Sequence, residues 1–407
     1  MKKLRQYQID ISQQANENLR IRKFVYLAMQ VRTGKTATAL NAAMLYGATN
    51  VLFVTKKKAI KSIEEDYNDF GYTYNITVTN TENLHKINGN FDLVISDENH
   101  KYGSFPKPSA RAKLFKKKYG HLPIIALSGT MTPESYSQVF YQFWISNYSP
   151  FKYANFYKWA ADYVNVKLKN FGYATIKDYS DANEFKVKKA IEPYVLTYSQ
   201  QEAGFTSEIT ENILYVEMLP KTYDLVTRLK RDLIIEGKNE VVLADTAVKL
   251  LGKLHQLFSG TVKFESGNSM VIDTSKSKFI FDKFGMEKIA IFYKFKEEYN
   301  AIKEAYRDGV TDDLTEFQNT NKSIALQIVS GREGISLAEA KYIVYYNIDY
   351  SAVSYWQSRD RLTTIDRMSN NIYWIFAKGG IENHIYKKVM NKKNFTLSHF
   401  VRILSTI

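Results

Sequence analysis

The sequence predicts an α/β protein built as two tandem lobes, each a parallel sheet flanked by helices, with a helical extension on the first lobe. Three observations carry this. Short apolar, β-rich runs alternate with amphipathic stretches through both halves of the chain, the pattern of strand–helix–strand units. The 407 residues suit two or three domains at about 150 residues each. An apolar content of 45% is ample for packed cores and argues against long disorder.

In the first half the strand-like runs are FVYLAMQ (24–30), NVLFVT (50–55), YNITVT (74–79), FDLVISD (91–97) and PIIALSG (123–129), with helical patterns over 36–46 and 57–69. The stretch 135–205 is rich in aromatic residues and reads as mostly helical, a packed extension of the first lobe. The second half repeats the style. Its strand-like runs are NILYVEM (212–218), KIAIFY (288–293), SIALQIVS (323–330), KYIVYYN (341–347) and NIYWIFA (371–377), with helices expected over 220–236, 242–258, 294–307 and 381–391. The hinge is placed near Gly204–Ser207. Lobe one then covers 1–206, its extension starting at about 135, and lobe two covers 207–407, with a cleft expected between them.

Composition excludes several function classes. With no Cys, there is no disulfide framework, no thiolate catalysis and no Cys-ligated zinc or iron–sulfur centre. The 6 His form no HExxH pair, which argues against a zinc hydrolase. No apolar run approaches the roughly 18 residues of a membrane span, and the polar start MKKLRQYQIDISQQ does not read as a secretory signal. A cytosolic location is expected, that of the host cell if the chain is a phage protein. The balance of 56 Lys+Arg against 42 Asp+Glu, a net +14, points to an anionic partner such as nucleic acid. The chain is also heavy in Lys, Asn, Ile, Tyr and Phe, residues served by AT-rich codons, so charge alone leaves both explanations open.

Motifs decide more. In AMQVRTGKTATAL (28–40) a strand runs through a turn into Gly34-Lys35-Thr36 and then a helix. This is the layout of a phosphate-binding loop, in which backbone N–H groups and a helix N-terminus cradle phosphate oxygens. Arg32, Thr33 and Gly34 belong to that loop, Lys35 would reach the β- and γ-phosphates, and Thr36 would hold Mg²⁺. Met29 stands where the usual eight-residue pattern begins with Gly. In FDLVISDENH (91–100) a buried strand ends in two acids. Asp97 suits Mg²⁺ binding through water, and Glu98 suits orienting or deprotonating an attacking water. LSGT (127–130) follows another apolar strand, with Ser128 and Thr130 as candidate couplers. SGREGISLAEA (330–340) is a Gly-spaced turn, and SYWQSRDRL (354–362) sets Gln357, Arg359, Asp360 and Arg361 at a helix start, where an arginine can neutralise a transferring γ-phosphoryl group.

In this order the motifs resemble those of the superfamily 2 helicases and translocases, nearest to the SWI/SNF-like branch of DNA-dependent ATPases in a small, phage-type form. The likeness runs along nearly the whole chain. LRQYQ (4–8) resembles the adenine-recognising start, with Gln8 reading the base edge. QVRTGKT (30–36) is similar to motif I, VTKKKAI (54–60) to the DNA-contacting motif Ia, and NTEN (80–83) to a further strand-contact motif. DENH (97–100) resembles motif II, where His100 would couple hydrolysis to motif III, here SGT. IEPYVLTYSQQE (191–202) resembles the branch's helical segment, KSKFIFDKF the lead-in to motif IV, and KIAIFYKF motif IV itself. GREGISL is similar to motif V, WQSRDR to motif VI, and AKGGIENHIYKKVMNKK (377–393) to the segment that follows. A second motif VI arginine, three residues after the first, is replaced by Thr364 if Arg361 is the first. Arg359 or Arg367 could substitute.

The resemblance implies two RecA-like lobes and an ATP-dependent DNA helicase or translocase, at work in phage replication or recombination. It implies ATP and Mg²⁺ as cofactors, with Lys35, Asp97, Glu98, Gln357 and Arg361 as catalytic residues, and Gly334 beside the nucleotide. Thr55, Lys56, Lys57, Lys294 and Arg332 are candidate nucleic-acid contacts. The expected partner is single- or double-stranded DNA, forked or branched forms included, with no membrane involvement and a monomeric chain. The rival readings are an RNA helicase and an ATP-switched DNA clamp that does not translocate.

Overall fold

Phe24–Met29 forms a strand, β1, buried along its whole length. A continuous apolar run of this kind fits a strand covered on both faces. Its residues divide by parity: Phe24, Tyr26 and Ala28 enter one apolar core, while Val25, Leu27 and Met29 enter another on the opposite face. This computed structural model describes residues 2–170, 175–205, 208–237, 240–328, 337–359 and 369–390.

The chain divides into two compact units between Gly204 and Phe205. In the first, β2 (Asn50–Thr55), β3 (Asn75–Asn80), β4 (Leu93–Ser96) and β5 (Ile124–Leu127) join β1. After an antiparallel hairpin of β6 (Lys167–Asn170) and β7 (Thr175–Asp178) comes β8 (Val195–Tyr198). The six sheet strands run in the order β3–β2–β4–β5–β1–β8, every pairing parallel. Leu27 of β1 lies between Leu127 and Leu196. Only the edge strand β3 shows alternating exposure at its start, as a strand covered on one side should. The helices Lys35–Tyr46 and Gln6–Arg22 pack together on one face of this sheet.

The segment after β5 was expected to be mostly helical. It does contain the helices Val139–Trp144, Phe156–Tyr163 and Glu184–Ile191, whose aromatic side chains Phe140, Phe143, Phe156 and Trp159 are fully buried. Such burial stabilises by roughly 1.5–3 kcal/mol per large side chain. The segment also holds the β6–β7 hairpin and β8, which completes the sheet beside β1. Strands this short carry too few residues for periodicity to separate them from helix.

The second unit holds β9 (Glu208–Val216), two small antiparallel pairs, β10 (Ile234–Glu236) with β11 (Val241–Leu243) and β12 (Thr261–Lys263) with β13 (Ser269–Val271), then β14 (Ala290–Tyr293), β15 (Val310–Thr311), β16 (Ser323–Gln327), β17 (Ile343–Tyr345) and β18 (Ser369–Ala377). Its main sheet is again parallel, in the order β15–β16–β14–β17–β18–β9. Two six-stranded parallel sheets with helices on them are the α/β architecture expected of two RecA-like lobes. The helix expected over 220–236 stops at Asp232, because Leu233 adopts a left-handed conformation (φ 59°) and β10 follows. The helix expected over 242–258 begins at Ala247, capped by the Thr246 side chain, which accepts from Lys249 N–H. Residues 242 and 243 belong to β11 instead. No helix among the described residues is long and apolar enough to cross a membrane.

Candidate nucleotide-binding site

β1 ends at Met29 and the helix Lys35–Tyr46 begins five residues beyond Gln30. Between them the backbone turns through two left-handed positions, Arg32 (φ 63°) and Gly34 (φ 79°). Left-handed residues of this kind help form the concave N–H arrangement that holds an anion, here beside the positive end of a helix. Gly34 is required for a second reason. A Cβ there would stand 1.9 Å from Gln8 Nε2. Gln8, expected to read a base edge, is buried against this loop and its Oε1 accepts from Arg5 N–H at 2.9 Å. Tyr7 stacks on Tyr198 with centroids 4.4 Å apart and donates its hydroxyl to Thr33 O at 3.1 Å. The N-terminal helix is thereby fastened to the loop. Thr33 is buried, its hydroxyl on Gln30 O at 2.7 Å. Lys35 Nζ donates to the same carbonyl at 3.2 Å, a neutral acceptor that an incoming phosphate would outcompete. Thr36 lies half-buried in the first helical turn.

The two acids follow β4. Asp97 Oδ2 accepts from the Thr55 hydroxyl at the end of β2, at 2.7 Å, and Oδ1 accepts from Glu98 N–H at 2.9 Å. Glu98 sits in the left-handed region (φ 51°), which costs a non-glycine residue roughly 1–3 kcal/mol. Its carboxylate lies between two basic side chains: Lys56 Nζ is 3.7 Å from Oε1, and His100 Nδ1 is 3.2 Å from Oε2. Burial, and then the Glu98 charge, push the Asp97 carboxyl above its ordinary range. Burial works in the same direction on Glu98, but Lys56, His100, Lys35 and Lys101 together outweigh it and pull this carboxyl down to about 2. Lys101 donates to Asp97 O at 2.8 Å, and burial lowers its ammonium to about 8 against the pull of both carboxylates. Asp97 and Glu98 are therefore unlike neighbours: one resists ionisation and the other holds its charge.

His100 also shares a hydrogen bond with Ser128 Oγ at 2.8 Å, just beyond β5. Ser128 Oγ accepts from Thr130 N–H at 3.0 Å, and Thr130 Oγ1 stands 3.5 Å from His100 Nδ1. The three residues expected to couple hydrolysis to movement thus form one cluster. The loop, the two acids and the His100 cluster all lie at or just beyond the carboxyl end of β1, β2, β4 or β5, or on the helix that follows β1, where open parallel sheets bind ligands.

Several contributors escaped the sequence reading. Asn99 is buried, its Oδ1 accepting from Ser96 Oγ at 3.1 Å and its Nδ2 donating to Gln142 O at 3.1 Å. Gln142 accepts from Tyr26 OH at 2.7 Å and donates to Met131 O at 2.7 Å. This buried chain ties the acid motif to the core of the sheet. Its one trace in the sequence is a lone Gln inside the apolar helix VFYQFW. Thr55, expected to touch nucleic acid, is wholly buried with its hydroxyl on Asp97, so it belongs to the acid site and presents no surface to a phosphate backbone. Lys57 is exposed and Lys56 half-buried.

The remaining candidates fall in the second unit. Lys294 pairs with Asp349 at 2.5 Å. Arg332 and Gly334 lie outside the described residues, as do Asp360, Arg361, Thr364 and Arg367. The helix expected to start around Gln357 begins instead at Ala352, so Gln357 and Arg359 lie toward the far end of Ala352–Arg359, the Gln357 side chain outside the described set. Arg359 Nη1 donates to Tyr355 OH at 3.5 Å. That hydroxyl donates to Glu211 on β9, which also accepts from Trp374 Nε1 at 3.1 Å and Tyr386 OH at 3.0 Å. Among the described residues no cluster of three or more His, Asp or Glu could hold a metal by itself.

No family model matches the chain, and no curated protein matches it. Among solved structures it is similar to the Sulfolobus solfataricus SWI2/SNF2 ATPase core in complex with dsDNA, with 15% identity over 97% of this chain and 92% of that one and a TM-score of 0.44.

Proposed function

We propose that the chain is an ATP-dependent DNA translocase or helicase. The observation that carries the ATPase part is the meeting of two halves of one site. The Gly34-Lys35-Thr36 loop follows β1, and Lys35 is close enough to act on the charge of both Asp97 and Glu98 beyond β4. The donors present fit Mg²⁺: a threonine hydroxyl at Thr36 and a carboxylate at Asp97 are hard oxygen ligands, and this ion is usually held by one or two carboxylates together with substrate phosphates. When bound, Mg²⁺ would neutralise charge on the transferring phosphoryl group. Lys35 would leave Gln30 O for the β- and γ-phosphates. Glu98, kept ionised by the cations around it, would orient the attacking water. His100 would carry the state of Glu98 to Ser128 and Thr130. The motif order assigns Arg361 the neutralising of charge on the transferring group and Gln357 a further catalytic part.

DNA as the partner rests on the order of the motifs and on the +14 charge. The deciding experiment measures ATP turnover alone and with single-stranded, double-stranded or forked DNA, or RNA. Strong stimulation by DNA supports the proposal. Stimulation by RNA alone favours an RNA motor, and DNA binding without stimulation favours a clamp.

A further inference from the structure

Lys56 is the first residue beyond β2. It directly follows Thr55, whose hydroxyl holds Asp97, and its own ammonium faces Glu98 Oε1 at 3.7 Å. The next two residues, Lys57 and Lys58, are exposed on a single helical turn. Lys56 itself keeps 28% of its side chain in solvent. One cation therefore faces inward to the acid that would orient water and lies next to a lysine pair on the surface.

The other oxygen of the same carboxylate lies against His100, which is tied to Ser128. Glu98 is held from the β2 side by Lys56 and from the β5 side by His100, on a backbone in the left-handed region. The two grips differ. The His100 contact is shorter and leads into buried hydroxyls, whereas 3.7 Å is long for a charge-assisted bond, which lies at about 2.7–2.9 Å. A partly exposed pair of that length holds weakly. Nucleic acid brings a dense row of phosphates, and each lysine it engages also releases condensed counterions. In a competition for Lys56 the polyanion therefore wins over a single carboxylate.

We propose that Lys56 is a positioning residue that couples nucleic-acid binding to Glu98. Without nucleic acid it draws the Glu98 carboxylate toward β2 and away from the attacking water. A backbone phosphate landing at Lys57 and Lys58 takes Lys56 over and releases the carboxylate, which then answers to His100 alone of the two grips. The proposal rests on the ATPase reading above. It adds what that reading lacks, a physical route from the nucleic-acid surface to the hydrolytic acid that stays within one unit.

The test uses the full chain and compares wild type with Lys56→Gln and Lys56→Arg. ATP turnover is measured without nucleic acid and with saturating oligonucleotide, after a melting curve confirms folding. Lys56→Met serves if Lys56→Gln does not fold. The expected result is that Lys56→Gln raises the unstimulated kcat several-fold toward the stimulated wild-type rate, with KM for ATP unchanged, so that stimulation shrinks. Lys56→Arg, which keeps the cation, should keep both the low unstimulated rate and the stimulation. A merely structural role would lower kcat in both conditions. An unstimulated Lys56→Gln rate at or below the unstimulated wild-type rate overturns the proposal, as does wild-type turnover that ignores nucleic acid. Failure of the ATPase reading shows differently: wild-type turnover would not exceed that of Lys35→Ala.

Discussion

The two units bury charge in different ways. In the first, Asp97, Glu98, Lys56, Lys101 and His100 crowd the ends of β2 and β4, partly open to solvent, one of them on a left-handed backbone. In the second, Lys276 and Glu382 form an ion pair at 2.7 Å with no exposure on either side. Nearby, His255 shares a hydrogen bond with Asn347 at 2.6 Å, and Asn347 donates to the buried Glu298 at 2.5 Å. Burial pushes the His255 imidazole down to about 3, so it stays neutral at physiological pH. The second network is closed inside its unit and joins segments: Lys276 lies on the helix Ser275–Phe284, and Glu382 follows β18. The first is open at the carboxyl edge of its sheet. Buried ionisable groups alone do not mark chemistry. Their place at strand ends, with a route to solvent, does.

The largest effect that would break this contrast concerns the open network. Lys35→Ala should lower turnover by roughly 100–1,000-fold, the scale for loss of a preorganised charge at a reacting group, while the melting curve barely moves. The closed network should respond in the opposite way. Lys276→Ala leaves Glu382 charged and buried, and should cost about 3–5 kcal/mol in denaturant unfolding of the second unit. Lys276→Met with Glu382→Leu should recover most of that loss, because an apolar pair carries no desolvation penalty.

Asp97→Asn sharpens the comparison, since it should separate stability from activity. The Asp97 carboxyl is raised above its ordinary 3.8, so the folded chain binds this proton more tightly than the unfolded chain does. Its contribution favours folding at pH below the ordinary value and is lost as pH rises through the raised one. At neutral pH the charged form is a burden on the fold. Asp97→Asn should therefore raise the melting temperature at pH 7, flatten the pH dependence of stability in that window, and remove Mg²⁺-dependent turnover. A smaller effect is expected at the loop. Gly34→Ala meets both the left-handed φ and the Gln8 amide and should destabilise by roughly 1–3 kcal/mol. Adding Gln8→Ala should relieve the clash but not the backbone cost. The smallest is Lys57→Ala, an exposed change expected to stay within about 0.5 kcal/mol in stability while reducing the salt dependence of nucleic-acid binding.

Both parallel sheets were legible in the sequence, because strands covered on two faces read as unbroken apolar runs: FVYLAM, NVLFVT and NIYWIFA each became a strand. The short strands β6, β7, β8, β10 to β13 and β15, which do not stand out as apolar runs between helical stretches, were not. VLTY closes the first sheet only because β1 lies beside it, a long-range fact that no local pattern carries. The same limit applies at the site. Gly34-Lys35-Thr36 and Asp97-Glu98 stand out as adjacent residues with an evident chemistry. Thr55 and Gln142 act through partners 42 and 116 residues away in sequence, so their roles appear only once the strands are aligned. The resemblance of VTKKKAI to a DNA-contacting motif implied a nucleic-acid contact for Thr55, yet its side chain turns inward.

The central claim is that the acids beyond β4 serve the phosphate held beyond β1. It is tested most directly by Glu98→Gln, through nucleotide affinity and single-turnover ATP cleavage on the same preparation. The account predicts that ATP binds with near wild-type affinity and is not cleaved. Cleavage at the wild-type rate would contradict it.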